Sequence, residues 1–286
     1  MSQSGASPLA GIKALTFDVF GTTVDWRSSV TDELILRAHR KLSPTAPTFP
    51  QQASGLPQNG SNLTAELRGR LAALTDDDWR RFAQEWRDSY GVFTNTFDRA
   101  TSVWKSIDDH HRDSLRDLLA KWDLEGVYSE SEIESLSLVW HRLTPWDDSA
   151  DGLAALAAMS LTTATLSNGN LSLIQDLDDY GNLGFAKFFS AETFMAYKPD
   201  PSTYLGAAER MGLQPREVAM VAAHMTDLAA ARALGLRTIY IARPQEEAWS
   251  EDDERYQATK AALDLWVGEN EDGFRTMAAK LKEIRS

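Results

Sequence analysis

The 286-residue sequence contains no cysteine, which excludes disulfides, zinc–thiolate sites, iron–sulfur clusters and a thiol nucleophile. Basic residues are also few, because 29 Lys and Arg stand against 42 Asp and Glu and leave a formal net charge of −13. Nucleic acids and anionic membranes are bound through clustered positive charge, so we expect neither as a partner. No apolar run approaches the roughly 18 residues that cross a bilayer, and no secretion signal is recognisable. We therefore expect a cytoplasmic protein.

Short β-branched and aromatic runs alternate with helical patterns in two parts of the sequence. The strand candidates are residues 12–20, 161–166, the neighbourhood of Phe188 and Phe189, 218–222 and 238–242. Helical patterns cover residues 151–159, 171–179, 202–211 and 227–234. This alternation predicts an α/β fold, a doubly wound Rossmann-like parallel sheet.

A different pattern occupies residues 27–145, which carry helical segments but little alternation of period two. It predicts a helical domain inserted after the first strand, with the core formed by residues 11–26 and 146–286 and a flexible tail at residues 1–10. Residues 41–62 carry four prolines among polar residues. This Pro-rich stretch is either a mobile linker or an ordered loop packed over the site.

Polar side chains follow the predicted strands at the points where reactive groups collect in open α/β sheets, beyond the carboxyl ends of the strands. Four segments carry them: residues 17–22 (FDVFGT), 166–170 (LSNGN), 197–201 (YKPDP) and 221–227 (VAAHMTD). We expect these segments to meet at one edge of the sheet.

In this order and spacing the four segments resemble the motifs of the haloacid dehalogenase (HAD) superfamily, and most closely its L-2-haloacid dehalogenase (type II) branch. The resemblance covers residues 12–26 and about 145–285. It implies that the inserted helices form a cap domain over an active site on the α/β core, and it makes a homodimer the expected assembly.

Two positions depart from the phosphatases of this superfamily, which use a second Asp two residues after the nucleophile as general acid and an acidic pair in the last motif to hold Mg²⁺. Phe20 and Ala223 stand at those positions, so the resemblance implies no metal and no other cofactor. It implies metal-independent hydrolytic dehalogenation, in which a small anionic 2-haloalkanoic acid becomes a 2-hydroxy acid through an aspartyl ester on Asp18, an (S)-2-haloacid dehalogenase type of activity.

The resemblance also assigns roles to residues of the core. Asp18 is the expected nucleophile, and Lys198 is the cation that keeps a buried carboxylate ionised. Thr22 positions Asp18, while Ser167 and Asn168 bind the substrate carboxylate or the nucleophile. Phe20 forms part of the pocket wall, although Ser-Asn-Gly and Thr22 also suit ordinary turns and helix caps.

A halide leaving group needs a cationic cradle, which the family supplies from an arginine that follows a tryptophan in the cap. Arg87, after Trp86, matches this residue, and Arg80, after Trp79, is a near-duplicate. An exposed helical arginine is the alternative interpretation. Tyr204 matches an active-site tyrosine of the family, although a core tyrosine would fit the same helix.

The last motif differs from its relatives, because His224 replaces an amide by a titratable base. Near pH 7 an imidazole can take a proton from water that attacks an ester. We therefore expect either a hydrolytic base at His224, oriented by Asp227 or Asp25, or a purely structural hydrogen bond. Asp227 matches the family's last Asp, and Asp25 equally suits a helix N-cap.

Two alternatives to dehalogenation remain open at this stage. Thr226 stands where the branch has a large aromatic residue, and with His224 it suggests a hydrolase or lyase that acts on a bulkier, non-halogenated organic acid. A catalytically idle member of the family is the second alternative, since a fold does not prove an activity.

Overall fold

The computed structural model describes residues 7–43 and 63–286. Most of the predicted tail and nearly all of the Pro-rich stretch at residues 41–62 therefore lie outside the described residues. The described chain begins with a 3₁₀ turn, Pro8–Gly11, whose Leu9 is fully buried in the core. The predicted flexible tail of residues 1–10 is therefore too long, because the side chain of Leu9 already packs in the core.

Five parallel strands form one sheet, and two short strands pair separately. In chain order the strands are β1 (Ala14–Phe17), β2 (Val24–Asp25), β3 (Thr144–Pro145), β4 (Thr162–Thr165), β5 (Val218–Ala222), β6 (Arg237–Ile241) and β7 (Leu265–Val267). The parallel sheet has the order β4-β1-β5-β6-β7. β1 and β5 are buried along their whole length, as expected for central strands covered on both faces.

Helices cover both faces of this sheet and fill the insertion. In chain order they are α1 (Trp26–Leu42), α2 (Ala65–Ala73), α3 (Asp76–Thr96), α4 (Ile107–Lys121), α5 (Glu130–Ser137), α6 (Ser149–Ala158), α7 (Leu171–Gly181), α8 (Ala191–Phe194), α9 (Pro201–Arg210), α10 (Met225–Ala233), α11 (Glu254–Ala262) and α12 (Gly273–Arg285).

The two faces of β5 divide the core into two apolar layers. Ala219 and Val221 pack with Leu153 of α6 and Phe274 of α12. The alternate residues Val218, Met220 and Ala222 pack on the other side, with Tyr204 of α9 and Leu228 of α10. Because strand side chains alternate with a period of two, each face buries its own layer of helices, and the predicted doubly wound α/β fold is confirmed.

The helical insertion, defined here as residues 26–143, leaves the core through β2 and returns through β3, which pair antiparallel. Its helices begin at side-chain caps, such as the capping boxes of Thr75 at α3 and Ser129 at α5. The apolar faces of α1, α3 and α4 meet around Trp86 and Leu115, which are fully buried.

Three elements differ from the sequence prediction. The segment around Phe188 and Phe189 forms only isolated parallel bridges, through Lys187 and Ser190, rather than a strand. The edge strand β7 was not predicted, since three residues give too short a pattern. The helical sequence pattern of residues 131–143 predicts a helix over that range, but the helix ends at Ser137 and continues as a 3₁₀ turn, Leu138–His141. Within residues 7–43 and 63–286, no helix is long and apolar enough to cross a membrane.

Candidate active site

The carboxyl ends of β1 and β5 bring together residues that lie about 200 positions apart. Asp18 follows β1 directly, and its backbone N–H donates to the Val221 carbonyl at 3.0 Å. His224 follows β5, and the backbone N–H of Ala223 donates to the Thr22 hydroxyl oxygen at 2.9 Å. The predicted meeting of strand-end segments therefore occurs, since neighbouring parallel strands end on the same side of the sheet.

The Asp18 carboxylate accepts three hydrogen bonds and is 7% exposed. The Lys198 ammonium lies 2.9 Å from Oδ1, while Oδ2 accepts from the Thr22 hydroxyl at 2.7 Å and faces His224 Nδ1 at 3.0 Å. A carboxylate oxygen with one hydrogen bond keeps more lone-pair capacity than one with two. Oδ1 is therefore the oxygen better able to attack an electrophile.

Neighbouring charges determine the protonation states of the buried Asp18 and Lys198. Burial alone would raise the pKa of the Asp18 carboxyl, but Lys198 and His224 outweigh burial and hold that pKa far below its usual range. Burial likewise disfavours a charged Lys198, yet Asp18 and Asp227 raise the pKa of its ammonium above the usual value. At neutral pH the site thus holds a carboxylate against an ammonium.

Asp227 and Tyr204 complete the surroundings of Lys198. Asp227 Oδ2 lies 2.5 Å from Lys198 Nζ, and its Oδ1 accepts from the Tyr204 hydroxyl at 2.5 Å. Burial raises the pKa of Asp227, as does the nearby Asp18, whereas Lys198 lowers it. Tyr204 is fully buried, and its hydroxyl contacts Asp227. It therefore supports the site through Asp227, whereas the sequence suggested a residue of the active site itself.

His224 lies between two carboxylates. Its Nδ1 faces Asp18, and its Nε2 lies 3.3 Å from Glu246 Oε2, which also accepts from Trp26 Nε1 at 3.0 Å. Burial lowers the pKa of this imidazole, but the hydrogen bonds to Asp18 and Glu246 outweigh burial and raise it to about 9. His224 is therefore protonated at neutral pH while Asp18 is a free carboxylate.

The partner of His224 corrects a sequence prediction. Neither of the two aspartates proposed to orient this histidine takes that position: Asp25 caps α1 by accepting from the Ser28 N–H at 3.0 Å, and Asp227 accepts from Lys198 and Tyr204. Glu246 orients it instead, from the loop that follows β6.

Gly21 makes room for this glutamate. Its φ is +82°, and a Cβ at this position would lie 1.9 Å from Glu246 Oε2. Any side chain at residue 21 would thus both strain the backbone and displace Glu246. The glycine of the FDVFGT segment is explained by this close approach.

The segment after β4 holds Lys198 in place through its backbone. Asn168 Oδ1 accepts from the Lys198 N–H at 2.6 Å, and its Nδ2 donates to the Lys198 carbonyl at 3.3 Å. The Ser167 hydroxyl accepts from the Gly169 N–H at 3.2 Å. Both predicted residues lie at the site, but the structure assigns the Asn168 amide to the loop that carries Lys198.

The helical insertion contributes Arg87 of α3. Its guanidinium lies over the rings of Tyr90, Phe20 and Trp26, at 4.4, 5.5 and 5.6 Å from their centroids. Among the residues that the structure describes, its buried Nη1 has no hydrogen-bond partner. Arg80 instead points to solvent and pairs with Asp77 of its own helix, so Arg87 is the arginine that faces the site.

A cavity of about 390 Å³ opens between the helical insertion and the core. Arg87 and Tyr90 line it from α3, Trp26 from α1, and His224 and Glu246 from the core. Phe20 is 1% exposed and packs its ring 6.3 Å from that of Tyr90, so it supports the wall rather than opening onto solvent.

The donors around Asp18 do not suit Mg²⁺, the metal of the superfamily's phosphatases. Mg²⁺ requires an octahedral set of hard oxygen ligands. Here two cationic groups, Lys198 and His224, occupy the positions beside the carboxylate, and Phe20 and Ala223 offer no side-chain oxygen. The residues therefore do not fit that ion.

Fold and site together correspond to a known class of hydrolases. The family model for haloacid dehalogenase-like hydrolases matches residues 12–235, and the chain belongs to this family. The family predicted from the four motifs is thus confirmed.

The relatives of this chain include several (S)-2-haloacid dehalogenases and, at lower identity, an enolase-phosphatase. (S)-2-haloacid dehalogenase 1 of Pseudomonas sp. (strain CBS-3) is 34% identical over 131 residues, which are 44% of this chain and 58% of that protein. The (S)-2-haloacid dehalogenase of Xanthobacter autotrophicus is 32% identical over 139 residues, 48% of this chain and 53% of that protein. This chain therefore aligns with little more than half the length of these curated relatives.

Solved structures agree over nearly the whole length. The defluorinating L-2-haloacid dehalogenase Rha0230 superposes with a TM-score of 0.75 at 29% identity, covering 97% of this chain and 99% of that one. The L-2-haloacid dehalogenase PA0810 gives 0.72 at 31% identity, covering 95% and 100%. The predicted resemblance to this branch is thereby confirmed.

Sequence reasoning missed two residues of the site. Glu246 follows β6, so the strand-end rule that identified the other residues could have been extended to its loop. Tyr90 lies three residues after Arg87 on α3, and residues at that spacing share a helix face.

Proposed function

We propose that this protein is a hydrolytic 2-haloacid dehalogenase that works through an ester on Asp18, without a metal ion. The observation that carries the proposal is the buried Asp18 carboxylate, paired with Lys198 at 2.9 Å and contacting His224, which lines a cavity together with Arg87. The dehalogenases among its relatives supply the substrate class.

The first step is a displacement at the carbon that bears the halogen. A lone pair of Asp18 Oδ1 forms the C–O bond, and the halide departs with the C–X pair toward Arg87, whose Nη1 has a hydrogen bond to offer among the described residues. A halide leaves as an anion, so this step needs no general acid. Burial of Asp18 and its fixed orientation supply reactivity that a hydrated carboxylate lacks.

The second step hydrolyses the ester, and His224 acts as its base. Conversion of Asp18 into a neutral ester removes the anion that most strongly favours the imidazolium, so the pKa of His224 falls and it releases its proton to solvent. The neutral imidazole, oriented by Glu246, then accepts a proton from the water that attacks Cγ of Asp18. That proton passes to the departing 2-hydroxy acid, and the remaining carboxyl proton returns to His224.

The helical insertion acts as a cap over the core in this proposal. It supplies Arg87 and Tyr90 to the cavity, whereas the core supplies His224 to the cavity and the Asp18–Lys198 pair behind His224. The cavity of about 390 Å³ has room for acids longer than 2-chloropropionate. Longer 2-haloacids therefore belong in the assay.

Halide release from L-2-chloropropionate and from longer L-2-haloacids tests the proposal. We expect chloride release by the wild type and a loss of at least about 10³-fold in Asp18→Asn, because an amide cannot form the ester. Asp25→Asn is the matched control, since Asn caps α1 as well as Asp does. Absence of halide release by the wild type would reject dehalogenation, and an active Asp18→Asn would reject the ester mechanism.

A further inference from the structure

Arg27, the second residue of α1, joins the helical insertion to Glu246. Its guanidinium donates through Nη1 to the side chain of Gln84 on α3 and through Nη2 to the Gln245 carbonyl at 3.0 Å. Nη2 also lies 3.8 Å from Glu246 Oε1, and the guanidinium lies 4.5 Å from the centroid of the Trp26 ring. These contacts fix a positive charge beside Glu246, at the edge of the cavity. Neither step of the proposed mechanism uses this charge.

Glu246 therefore faces two cations with its two oxygens. Oε2 lies 3.3 Å from His224 Nε2, while Oε1 faces Arg27. Glu246 is buried, so water screens these charges little. Trp26 Nε1 donates to Oε2 at 3.0 Å, and the neighbouring Glu247 accepts from two backbone N–H groups at 2.7 Å. Because these bonds hold the loop without Arg27, its removal deletes a charge and leaves Glu246 beside the imidazole.

The charges of the site balance only when Arg27 is counted. Its ion pairs link three carboxylates, Asp18, Asp227 and Glu246, with three cations, Lys198, His224 and Arg27. An ester on Asp18 removes one negative charge and leaves three cations against two carboxylates. Loss of one proton from His224 then restores the balance. Without Arg27, the esterified site would already be balanced with a protonated His224, and the second step would lack its base.

The other charged groups that line the cavity with His224 have partners of their own. Arg87 faces the leaving group, and the departing halide balances its charge. Asp88 accepts from Gln84 Nε2 at 2.7 Å, and Glu247 accepts from the Met225 N–H at the start of α10 at 2.7 Å. Within residues 7–43 and 63–286, the ion pairs of Glu246 are those with His224 and Arg27.

We propose that Arg27 is a positioning residue for ester hydrolysis, whose fixed charge shares Glu246 with His224 and lets the imidazolium lose a proton once Asp18 is esterified. This inference rests on the proposed function for the ester itself. The Nδ1–H bond of His224 breaks, its electron pair stays on the ring, and the proton passes to solvent. Nε2 keeps its hydrogen toward Glu246, and Nδ1 then accepts a proton from the attacking water.

The pH dependence of ester breakdown in a single turnover tests the proposal. In Arg27→Met we expect the limb that rises with pH to lie about one pH unit higher, and ester breakdown at pH 7 to be about tenfold slower, because a neighbouring like charge no longer disfavours the imidazolium. At high pH the variant should approach the rate of the wild type. Halide release in the first turnover should change less than about threefold, since that step needs no base.

Two further variants separate the charge of Arg27 from its packing. Arg27→Lys keeps the charge and should stay within about threefold of the wild type at pH 7. Arg37→Met is the matched control, because Arg37 also lies on α1, pairs with Glu33 and has a side chain 20% exposed, against 25% for Arg27. It should leave the profile unchanged. An unshifted profile in Arg27→Met, an equal loss of rate at every pH, or an equal loss in Arg27→Lys would each reject the proposal.

Titration of His224 by NMR separates this inference from dehalogenation itself. Asp18→Asn carries a neutral side chain at the position of the ester, so the pKa of His224 should lie below its wild-type value of about 9. We expect this pKa to be about one pH unit higher in the double variant Asp18→Asn/Arg27→Met than in Asp18→Asn, with His224→Gln assigning the signal. This result without halide release would reject the proposed function alone. Equal titration in the two proteins would reject the role of Arg27, whether or not halide is released.

Discussion

At the level of single residues, the site keeps buried ionisable groups charged by placing cations beside carboxylates, although burial alone would favour their neutral forms. Asp18, Asp227 and Glu246 bring three carboxylates into one buried region, and Lys198 and His224 lie between them. Each cation faces two carboxylates, so its pKa is raised, although burial lowers it. In the proposed mechanism, esterification of Asp18 removes a carboxylate that faces both Lys198 and His224.

The role of His224 gives a prediction about the order of the two steps. In His224→Gln we expect halide release in the first turnover to persist while ester breakdown slows by about 10²- to 10⁴-fold, because only the second step needs a base. Glu246→Gln should slow ester breakdown about tenfold, since the imidazole loses its orienting carboxylate. Rapid-quench measurement of halide and 2-hydroxy acid in a single turnover follows the two steps separately.

Glu251→Gln supplies the control for this experiment, as the same change on the exposed loop five positions further along. Ester breakdown in His224→Gln at the rate of the wild type would rule out the histidine as the base. Equal behaviour of Glu246→Gln and Glu251→Gln would rule out the orienting role.

At the scale of elements, a polar contact holds the helical insertion to the core beside the site. His141, on the 3₁₀ turn after α5, places Nε2 3.0 Å from Asp108 of α4 and Nδ1 2.7 Å from Asp176 of α7. Asp108 also accepts from the side chain of Asn170, the last residue of the LSNGN segment. Only an imidazolium donates from both ring nitrogens, so the full contact requires a protonated histidine.

The pH dependence of this contact can be predicted in sign. Burial lowers the pKa of His141, but Asp108 and Asp176 outweigh it and raise the pKa above the usual value. The stabilisation is therefore complete below the unfolded pKa of about 6.5 and is lost as the pH rises through the higher folded value.

We expect His141→Gln to lower the free energy of unfolding by about 1 kcal/mol at pH 6, a small value because Asp176 is largely exposed and solvent screens its charge. The difference from wild type should shrink as the pH approaches 9. Urea titrations at several pH values measure it, with the exposed His39→Gln on α1 as the control. A difference that stays constant from pH 6 to 9 would contradict the ionic contact.

At the scale of the whole molecule, one buried ion pair joins segments from both ends of the sequence. Arg243, after β6, donates to the two carboxylate oxygens of Asp148 at 2.6 and 2.8 Å and to the Thr22 carbonyl at 3.0 Å. Asp148 also accepts from the Phe274 N–H at the start of α12. Arg243 thereby supports the turn that carries Thr22, and through it the position of Asp18.

Loss of this arginine should destabilise the fold. We expect Arg243→Met to lower the free energy of unfolding by about 3 kcal/mol, because it leaves a buried carboxylate without its cation. Arg275→Met is the control, with an expected loss below about 1 kcal/mol, since Arg275 pairs with Asp151 near the surface. Denaturant unfolding at pH 7 measures both, and equal stability of the two variants would contradict the prediction.

The elements that sequence predicted well are those fixed by local patterns. β5 was predicted with its observed bounds, and α9 and α10 agree within two residues, because apolar periodicity and neighbouring caps lie within a few positions. The expected strand near Phe188 failed because its apolar run packs through isolated bridges at Lys187 and Ser190. β7, three residues long, needed its partner β6 to become a strand. The homodimer stays a prediction.

Sequence patterns alone indicate the class of the protein and the residues at the strand ends. Asp18, Lys198, His224 and Asp227 could be found there because parallel strands present their carboxyl ends to one side of the sheet. The contacts between these groups could not be predicted in the same way. Glu246 reaches His224 across 22 residues, and Arg87 of α3 lies over the ring of Phe20. The physical reason is that such contacts depend on how distant elements pack, whereas sequence patterns report the conformation and burial of each element alone.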